Sequence, residues 1–285
     1  MTPTDKNNTL EINGKVWDFS KKTYVMGILN MSPESFTKRS VASGLEEALA
    51  RARELAEDGA DIIDVGGRSS ATDAAEVATE GELQRVLPVI KELVRNGLVV
   101  SVDSWNPTVM EEGLKSGAHI INDINGLRHD EMVEVAAKYD APAVVMHMRG
   151  APRRMERNQV YDDVVREVID FFRMRLMELD RRRVRKVIID PGFEFGKSVA
   201  DNLAMLRRLG EFKVLGRPIL VSASRKDFIG KVLGLKREER LEGTIAANVI
   251  AAVSGAGIVR VHDVKEVKRA IAFADAVYRT YKESR

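Results

Sequence analysis

The sequence predicts an α/β protein that folds as a single (β/α)8 barrel, the TIM-barrel architecture, preceded by an N-terminal β-hairpin. Three observations carry this prediction: eight short apolar runs, a helical pattern after each run, and an Asn-Gly pair ahead of the first run. Runs that are apolar on both faces are typical of parallel strands covered by helices. Eight such strand–helix units favour a closed barrel over an open doubly wound sheet.

The hairpin is the first predicted element, at about residues 9–17. Apolar and polar residues alternate on both sides of Asn13-Gly14, the dipeptide that a type I′ hairpin turn prefers. The barrel then runs from about residue 24 to 282, and we expect the hairpin to cover its amino-terminal end. No linker, repeat or low-complexity tract divides the chain, so one domain over residues 1–285 is predicted.

The strands and helices of the barrel alternate along the chain. The predicted strands span residues 24–29, 62–65, 98–102, 119–121, 143–146, 187–189, 219–221 and 258–261. The predicted helices span residues 45–57, 80–96, 108–116, 131–139, 162–182, 202–209, 241–254 and 264–281. Gly59 and Gly97 follow the first two helical patterns, and glycine is common just past a helix end.

Composition excludes several classes of protein. The 285 residues carry 45 Lys and Arg against 43 Asp and Glu, and this balanced charge gives no broad field for nucleic acid or an acidic membrane. The basic run at residues 181–186 lacks interleaved aromatic residues, and we interpret it as a solvated helix end. The absence of cysteine excludes disulfides, thiolate zinc sites and cysteine nucleophiles. No signal peptide or membrane-length apolar run is recognisable, so we expect a cytoplasmic protein without nucleic-acid or membrane partners.

Polar or ionisable residues follow every apolar run. In (β/α)8 barrels the carboxyl ends of the strands form the active site, so these residues would meet at one rim. One such residue alone is explained equally well as a loop anchor, but a contribution from all eight strands indicates a site for a polar ligand. The set comprises Asn30, Asp64, Asp103, Asn122, Asp123, His147, Asp190, residues 222–226, Arg260 and His262.

The types of group restrict the ligand. Several carboxylates close together repel one another unless a ligand donates to them, as the guanidine-like edge of a flat heterocycle would. Lys226, Arg260 and His262 come from the last two strands, where barrels often bind phosphate. We therefore expect a phosphorylated heterocyclic substrate. The four histidines show no metal-ligand spacing, which argues against a histidine-rich metal site and leaves open Mg²⁺ carried by the substrate.

Seven motifs give the chain a family resemblance. They are GILNMSPESF at 27–36, GADIIDVGG at 59–67, INDING at 121–126, MHMRG at 146–150, DPGFEFGK at 190–197, SRK at 224–226 and RVHD at 260–263. In type and order they resemble those of the dihydropteroate synthases, from about residue 24 to the end of the chain. The family fold is a (β/α)8 barrel, and the resemblance also implies a homodimer formed through the late helices.

The resemblance implies a reaction and a pterin site. Dihydropteroate synthases condense 6-hydroxymethyl-7,8-dihydropterin pyrophosphate with p-aminobenzoate, giving 7,8-dihydropteroate and pyrophosphate. Carried over to this sequence, Asp103, Asn122 and Asp190 would hydrogen-bond the pterin ring. Lys226 would bond the carbonyl and N5 edge of the ring, and Arg260 would cover it.

The resemblance also assigns residues to the pyrophosphate group and to p-aminobenzoate. Arg260 and His262 would hold pyrophosphate, and Asn30 would contact the Mg²⁺–pyrophosphate. Phe195 would line the aminobenzoate side. The expected catalytic residues are therefore Lys226, Arg260, His262 and Asp103, since pyrophosphate departs easily when cations take up its developing charge.

Departures from the family concentrate on the side of the second substrate. Ala71 stands where the family has an Arg, and Arg68 either supplies that cation from a shifted position, next to Ser69 and Ser70, or is a surface residue. The first loop reads Thr-Lys-Arg-Ser at 37–40 where the family usually has Ser-Asp-Gly-Gly. Asp227 follows the Ser-Arg-Lys motif in place of Ser, and its carboxylate would repel aminobenzoate if it pointed inward.

Two hypotheses follow from these departures, and a third belongs to another class of enzyme. The first is a functional synthase whose altered aminobenzoate pocket makes it insensitive to sulfonamides, because sulfonamides mimic aminobenzoate. The second is a paralogue that binds pterin without condensing it, motivated by Lys38 in place of the family's first-loop Asp. The third is a lyase that uses Lys226 as a Schiff base, which borohydride trapping would reveal.

Overall fold

Eight parallel strands form the centre of the molecule. In this computed structural model, residues 8–32, 44–69, 76–155 and 160–279 are described. The barrel strands are β3 (Tyr24–Asn30), β4 (Ile62–Gly66), β5 (Val100–Asp103), β6 (Ile120–Asp123), β7 (Ala143–Met146), β10 (Val187–Asp190), β11 (Leu220–Val221) and β12 (Ile258–Val261). Their neighbour order is β10-β7-β6-β5-β4-β3-β12-β11, and a parallel bridge between Ile189 and Ile219 joins the two ends of the sheet. The predicted barrel is confirmed.

The helices surround the barrel, and at least one follows each of its strands. They are α1 (Leu45–Glu57), α2 (Thr79–Arg95), α3 (Pro107–Lys115), α4 (Asp130–Tyr139), α5 (Val164–Arg181), α6 (Val199–Arg207), α7 (Asp227–Leu233), α8 (Leu241–Ser254) and α9 (Val264–Tyr278). In the described residues, no helix has the length and apolar character that crossing a membrane requires.

Most predicted boundaries agree within two residues. The end predicted for α9, residue 281, lies outside the described residues, and the helix ends at Tyr278. The start predicted for α6, at residue 202, was wrong, because a reciprocal capping box between Ser198 and Asp201 starts the helix at Val199. Helix α7 was not predicted, since seven residues carry too little periodicity to recognise. A short antiparallel pair, β8 (Gly150–Ala151) and β9 (Arg154–Met155), was also missed.

The N-terminal hairpin closes the amino end of the barrel. It consists of β1 (Thr9–Ile12) and β2 (Lys15–Asp18), and both turn residues, Asn13 and Gly14, have the positive φ that a type I′ turn requires. Ile12, Trp17 and Phe19 are buried against one layer of strand residues inside the barrel. That layer consists of Met26, Ile62, Ile120, Val144, Ile188, Leu220 and Ile258.

The same layer determines where the polar residues lie. Successive side chains of a strand alternate between its two faces, so a residue two positions along faces the same interior. Asp64, Asn122, Asp190 and Arg260 each lie two positions after a residue of the apolar layer. The fold therefore places a polar layer directly above an apolar one, at the carboxyl end of the barrel.

Candidate active site

Arg260 is the centre of this polar layer. Its Nε donates to Asp64 Oδ2 at 2.6 Å, and its Nη2 donates to Asp103 Oδ2 at 2.6 Å. Asn122 Nδ2 donates to the same Asp64 oxygen at 3.0 Å. Side chains from β12, β4, β5 and β6 are thus linked across the barrel. Asp64 Oδ1 is buried without a partner among the described residues, which leaves an acceptor inside the site.

The carboxylates of Asp64 and Asp103 both interact electrostatically with Arg260. Desolvation inside the barrel raises the pKa of Asp103 to about 7, the guanidinium of Arg260 opposes that rise, and the nearby Asp64 adds to it. Burial also raises the pKa of Asp190, whose carboxylate accepts a hydrogen bond from the Gly192 N–H at 2.8 Å. A raised pKa means that the carboxyl group keeps its proton to higher pH, and a ligand that donates hydrogen bonds to it favours the charged form.

Asn30 lies at the rim beside Asp103. Strand pairing puts Asn30 of β3 opposite Gly66 of β4, and Gly66 opposite Asp103 of β5. Because Gly66 has no side chain, the space between the two polar residues stays open. The described residues contain no group of three or more His, Asp or Glu able to hold a metal. A single amide oxygen, that of Asn30, fits Mg²⁺ that arrives with a phosphorylated substrate, since such ions take most of their ligands from phosphate and water.

Lys226 and His262 complete the site on the side of the last two strands. Lys226 Nζ donates to the carbonyl of Phe193 at 3.2 Å and lies 4.4 Å from the centre of the Phe195 ring. Its burial lowers the pKa of the ammonium group. The His262 Nδ1 lies 2.9 Å from Ser224 Oγ.

The surroundings of His262 disfavour a positive charge on its ring. Burial and the positive charge of Arg260 lower the pKa of His262 to about 3, so the ring is a neutral imidazole at physiological pH. The imidazole can therefore hydrogen-bond an anion as a neutral ring, and a bound anion would itself raise the pKa of the ring.

Comparison with known proteins identifies the family. The model of the pterin binding enzymes matches residues 26–262. The dihydropteroate synthase of Escherichia coli K12 is 43% identical over 256 residues, which is 89% of this chain and 91% of that protein. The enzyme of Bacillus subtilis is 40% identical, covering 96% of this chain and 95% of the relative. The chain belongs to the dihydropteroate synthase family.

Solved structures of family members have the same fold. A Yersinia pestis dihydropteroate synthase in complex with a sulfonamide drug superposes with a TM-score of 0.90 at 38% identity, over 94% of this chain and 98% of that one. The Xanthomonas albilineans dihydropteroate synthase in complex with 7,8-dihydropteroate gives 0.83 at 37% identity, over 95% and 98%.

Arg68 lies just after β4, where the sequence departs from the usual motif of the dihydropteroate synthases, and two side chains hold it in place. Its Nε donates to the carboxylate of Glu82 at 2.5 Å, and its guanidinium lies 4.7 Å from the centre of the Trp105 ring. Glu82 is buried, and desolvation raises the pKa of its carboxyl group. Arg68 is therefore a largely buried cation that stacks on an aromatic ring, with Ser69 partly buried next to it. Ser70, Ala71 and the first-loop residues 33–43 lie outside the described residues.

Asp227 begins α7, and its charge is balanced by arginines. Its carboxylate lies 2.7 Å from Arg240 Nη1 and 3.8 Å from Arg237 Nη2, and 54% of the side chain is exposed. These contacts lower the pKa of Asp227, with the hydrogen bond from Arg240 as the main cause. Asp227 would repel aminobenzoate only if its carboxylate pointed inward. In the structure the carboxylate contacts two arginines of this chain instead.

Several contributors to the site carried no recognised signal in the sequence. Asp64 appeared among the polar residues of the rim but received no role, although its place two residues after Ile62 marks it as interior. Glu82 lies within a helix and contacts Arg68 across the β4–α2 connection, so no local pattern reveals it. Trp105 lies in the loop after β5, and no local pattern reveals its contact with Arg68.

Proposed function

We propose that the whole chain, residues 1–285, acts as one pterin-binding barrel that carries out the dihydropteroate synthase reaction in the cytoplasm. The observation that supports this most directly is the Asp64–Arg260–Asp103 cluster with Asn122, because it presents carboxylate and amide groups to a flat ring inside a closed barrel. Asp103, Asn122 and Asp190 would bind the donor edge of the pterin, and Lys226 its carbonyl and N5 edge.

The reaction needs positioning and charge stabilisation more than a strong base. The C–O bond between the exocyclic methylene and pyrophosphate breaks with its electron pair on pyrophosphate, and Arg260 and the neutral His262 bind the departing anion. The aminobenzoate nitrogen then forms the new C–N bond and loses a proton to water. Asn30 would hold Mg²⁺ carried by the substrate, and the ion would supply charge neutralisation on pyrophosphate.

The second substrate would bind between Phe195, Arg68 and the loops that follow β3 and β4. We propose that Arg68 supplies the cation on this side, since Glu82 and Trp105 hold its guanidinium in one place. A site rebuilt in this way would distinguish aminobenzoate from sulfonamides differently from its relatives, because the two ligands share their aniline end and differ in the acid group.

A direct test mixes the enzyme with pterin pyrophosphate, Mg²⁺ and p-aminobenzoate, with and without sulfamethoxazole, and detects dihydropteroate by mass spectrometry. We expect product in the absence of the drug, and an undiminished yield in its presence if the pocket excludes sulfonamides. Arg68→Met should then raise the KM for p-aminobenzoate more than it changes the KM for the pterin. Pterin binding without any product would favour the non-condensing paralogue.

We also propose that the protein is a homodimer through α8 and α9. Val267, Ile271 and Ala274 of α9 pack on the barrel, whereas Phe273 and Val277 of the same helix are 74% and 61% exposed. Together with Ile250, Val253 and Tyr278 they leave an apolar surface on two adjacent helices. Light scattering should give twice the mass of one chain, and Phe273→Glu should reduce it to a monomer.

A further inference from the structure

The loop between β10 and α6 contains a residue in an unfavourable backbone conformation. Residues 192, 194 and 196 all have positive φ, of 72°, 75° and 67°. The first and third are glycines, which adopt this region freely, but the second is Glu194. A side chain at such a φ costs free energy, and residues of this kind persist where surrounding contacts hold them, often at functional sites.

The contacts of Glu194 show what holds it there. Its N–H donates to Asn202 Oδ1 at 2.7 Å, and Asn202 is a buried residue of α6 whose amide also binds the carbonyls of Lys197 and Ser198. Its Oε1 accepts a hydrogen bond from the backbone N–H of Asp227 at 2.8 Å. The backbone is thus tied to α6, while the side chain reaches the start of α7.

The second oxygen of the same carboxylate faces the site lysine. Glu194 Oε2 lies 3.6 Å from Lys226 Nζ, which also bonds the Phe193 carbonyl and stacks over the Phe195 ring. The ammonium group is therefore held by three consecutive residues of one loop. Burial lowers the pKa of Lys226, and the charge of Glu194 is the largest influence that raises it again.

We propose that Glu194 is a positioning residue for Lys226: its carboxylate holds the ammonium group charged and fixed beside the pterin subsite, while anchoring the start of α7 to the same loop. This inference rests on the proposed function for the role of Lys226. Glycine would cost less free energy at this φ, and what distinguishes Glu194 from other residues in this conformation, such as Arg183, is the contact of its carboxylate with Lys226 and with the start of α7.

The test separates strain from function with two variants and a matched control. Glu194→Gly relieves the backbone strain and removes the carboxylate. Arg183→Gly relieves the same kind of strain, at an exposed residue with φ of 65° that lies after α5 and away from the site. We expect both to melt within about 2 °C of the wild type or above it. Glu194→Gly alone should lower kcat/KM, by about tenfold or more.

Glu194→Gln keeps an acceptor for the Asp227 N–H and removes only the charge. The charged groups that act on Lys226 are Glu194 and Asp190, which raise its pKa, and Arg260, Arg237 and Lys197, which lower it. Removing the charge of Glu194 lowers the pKa of Lys226, so the alkaline loss of activity should begin about one pH unit lower than in the wild type.

Two results would overturn the proposal. One is a folded Glu194→Gly variant that keeps kcat/KM within about twofold of the wild type, since a charge-assisted contact of this kind contributes more than that. The other is a Glu194→Gln variant with an unchanged alkaline limb. If the wild type itself made no dihydropteroate, the proposed function would fail. Calorimetry of 6-hydroxymethylpterin binding against pH would then still test whether Glu194 controls Lys226.

Discussion

Two arginines at the carboxyl end of the barrel, Arg225 buried and Arg260 largely buried, are held in different ways. Arg225 makes a bidentate pair with Asp263, at 2.7 and 2.8 Å, and its Nη1 donates to the carbonyls of Arg237 and Glu238 at 3.0 and 2.9 Å. Arg260 makes one hydrogen bond to each of two different carboxylates, and one oxygen of Asp64 has no partner in the described structure.

The difference distinguishes an ion pair that stabilises the fold from a charged cluster that can bind a ligand. All three nitrogens of the Arg225 guanidinium bind groups of the chain itself, and this fixes the loops after β11 and β12. Around Arg260, acceptors remain for a ligand, and the carboxyl group of Asp103 is near its titration point. A buried charge cluster that the protein leaves incompletely satisfied therefore marks the place where a ligand completes it.

The largest expected effect is the loss of stability in Arg225→Met. Removing one partner leaves Asp263 charged, buried and without its main counterion, which should lower the free energy of unfolding by about 3–5 kcal/mol. Urea unfolding measures this loss. The control is Lys265→Met on α9, where Lys265 is 53% exposed and its Nζ lies 3.9 Å from Asp58. An Arg225→Met variant as stable as the control would remove the distinction between the two arginines.

Arg260→Met should instead reduce catalysis. Loss of a group that stabilises developing charge should lower kcat/KM by about 10²–10³-fold. The melting temperature should fall less than in Arg225→Met, because Asp103 can take up a proton once the guanidinium is gone. Steady-state kinetics and calorimetric melting of the same preparations give both quantities. A loss of stability that matches the loss in Arg225→Met would contradict the comparison.

Asp64→Asn should shift the pH dependence of pterin binding. Asp103 accepts donors from the pterin as a carboxylate, so affinity should fall as the pH drops from 8 to 6 through its pKa of about 7. Asparagine keeps an oxygen for Arg260 and Asn122 but removes the neighbouring charge that raises that pKa. The fall should move to lower pH, by about one unit, in titration calorimetry with 6-hydroxymethylpterin. The control variant Asp58→Asn, which removes the carboxylate facing Lys265, should leave the profile in place.

The smallest effect is expected from Asp227→Ser. The carboxylate is 54% exposed and paired with Arg240, so the KM for p-aminobenzoate should change by less than about twofold. A much lower KM in the variant would mean that Asp227 faces the second substrate, as the sequence alone allowed.

Hydrophobic periodicity was sufficient for the barrel, and the ends of the apolar runs indicated its polar rim. The structure adds that Asp64, Asn122, Asp190 and Arg260 share one interior layer, because each lies two positions after an apolar residue of the same strand. The neutrality of His262 could not be predicted, since it depends on burial and on Arg260 together. The orientation of Asp227 depends on Arg240, which lies beyond the unpredicted helix α7. Glu194 follows neither periodicity nor turn preference, and its role is visible only from its backbone angle and its contacts with Lys226 and Asp227.

The closure of the barrel has a consequence for dynamics. Strand β11 has two residues, and between β10 and β11 the structure shows a parallel bridge, Ile189 to Ile219, instead of a full ladder. Asp190 lies on one side of this seam and Lys226 on the other, so a pterin bound to both would span it. Local opening concentrates where hydrogen bonds are fewest, so amide hydrogen exchange should be fastest along this seam in the free protein. Bound substrate would then link the two sides of the seam, and the slowing of hydrogen exchange on binding would measure how strongly it stabilises the closed barrel.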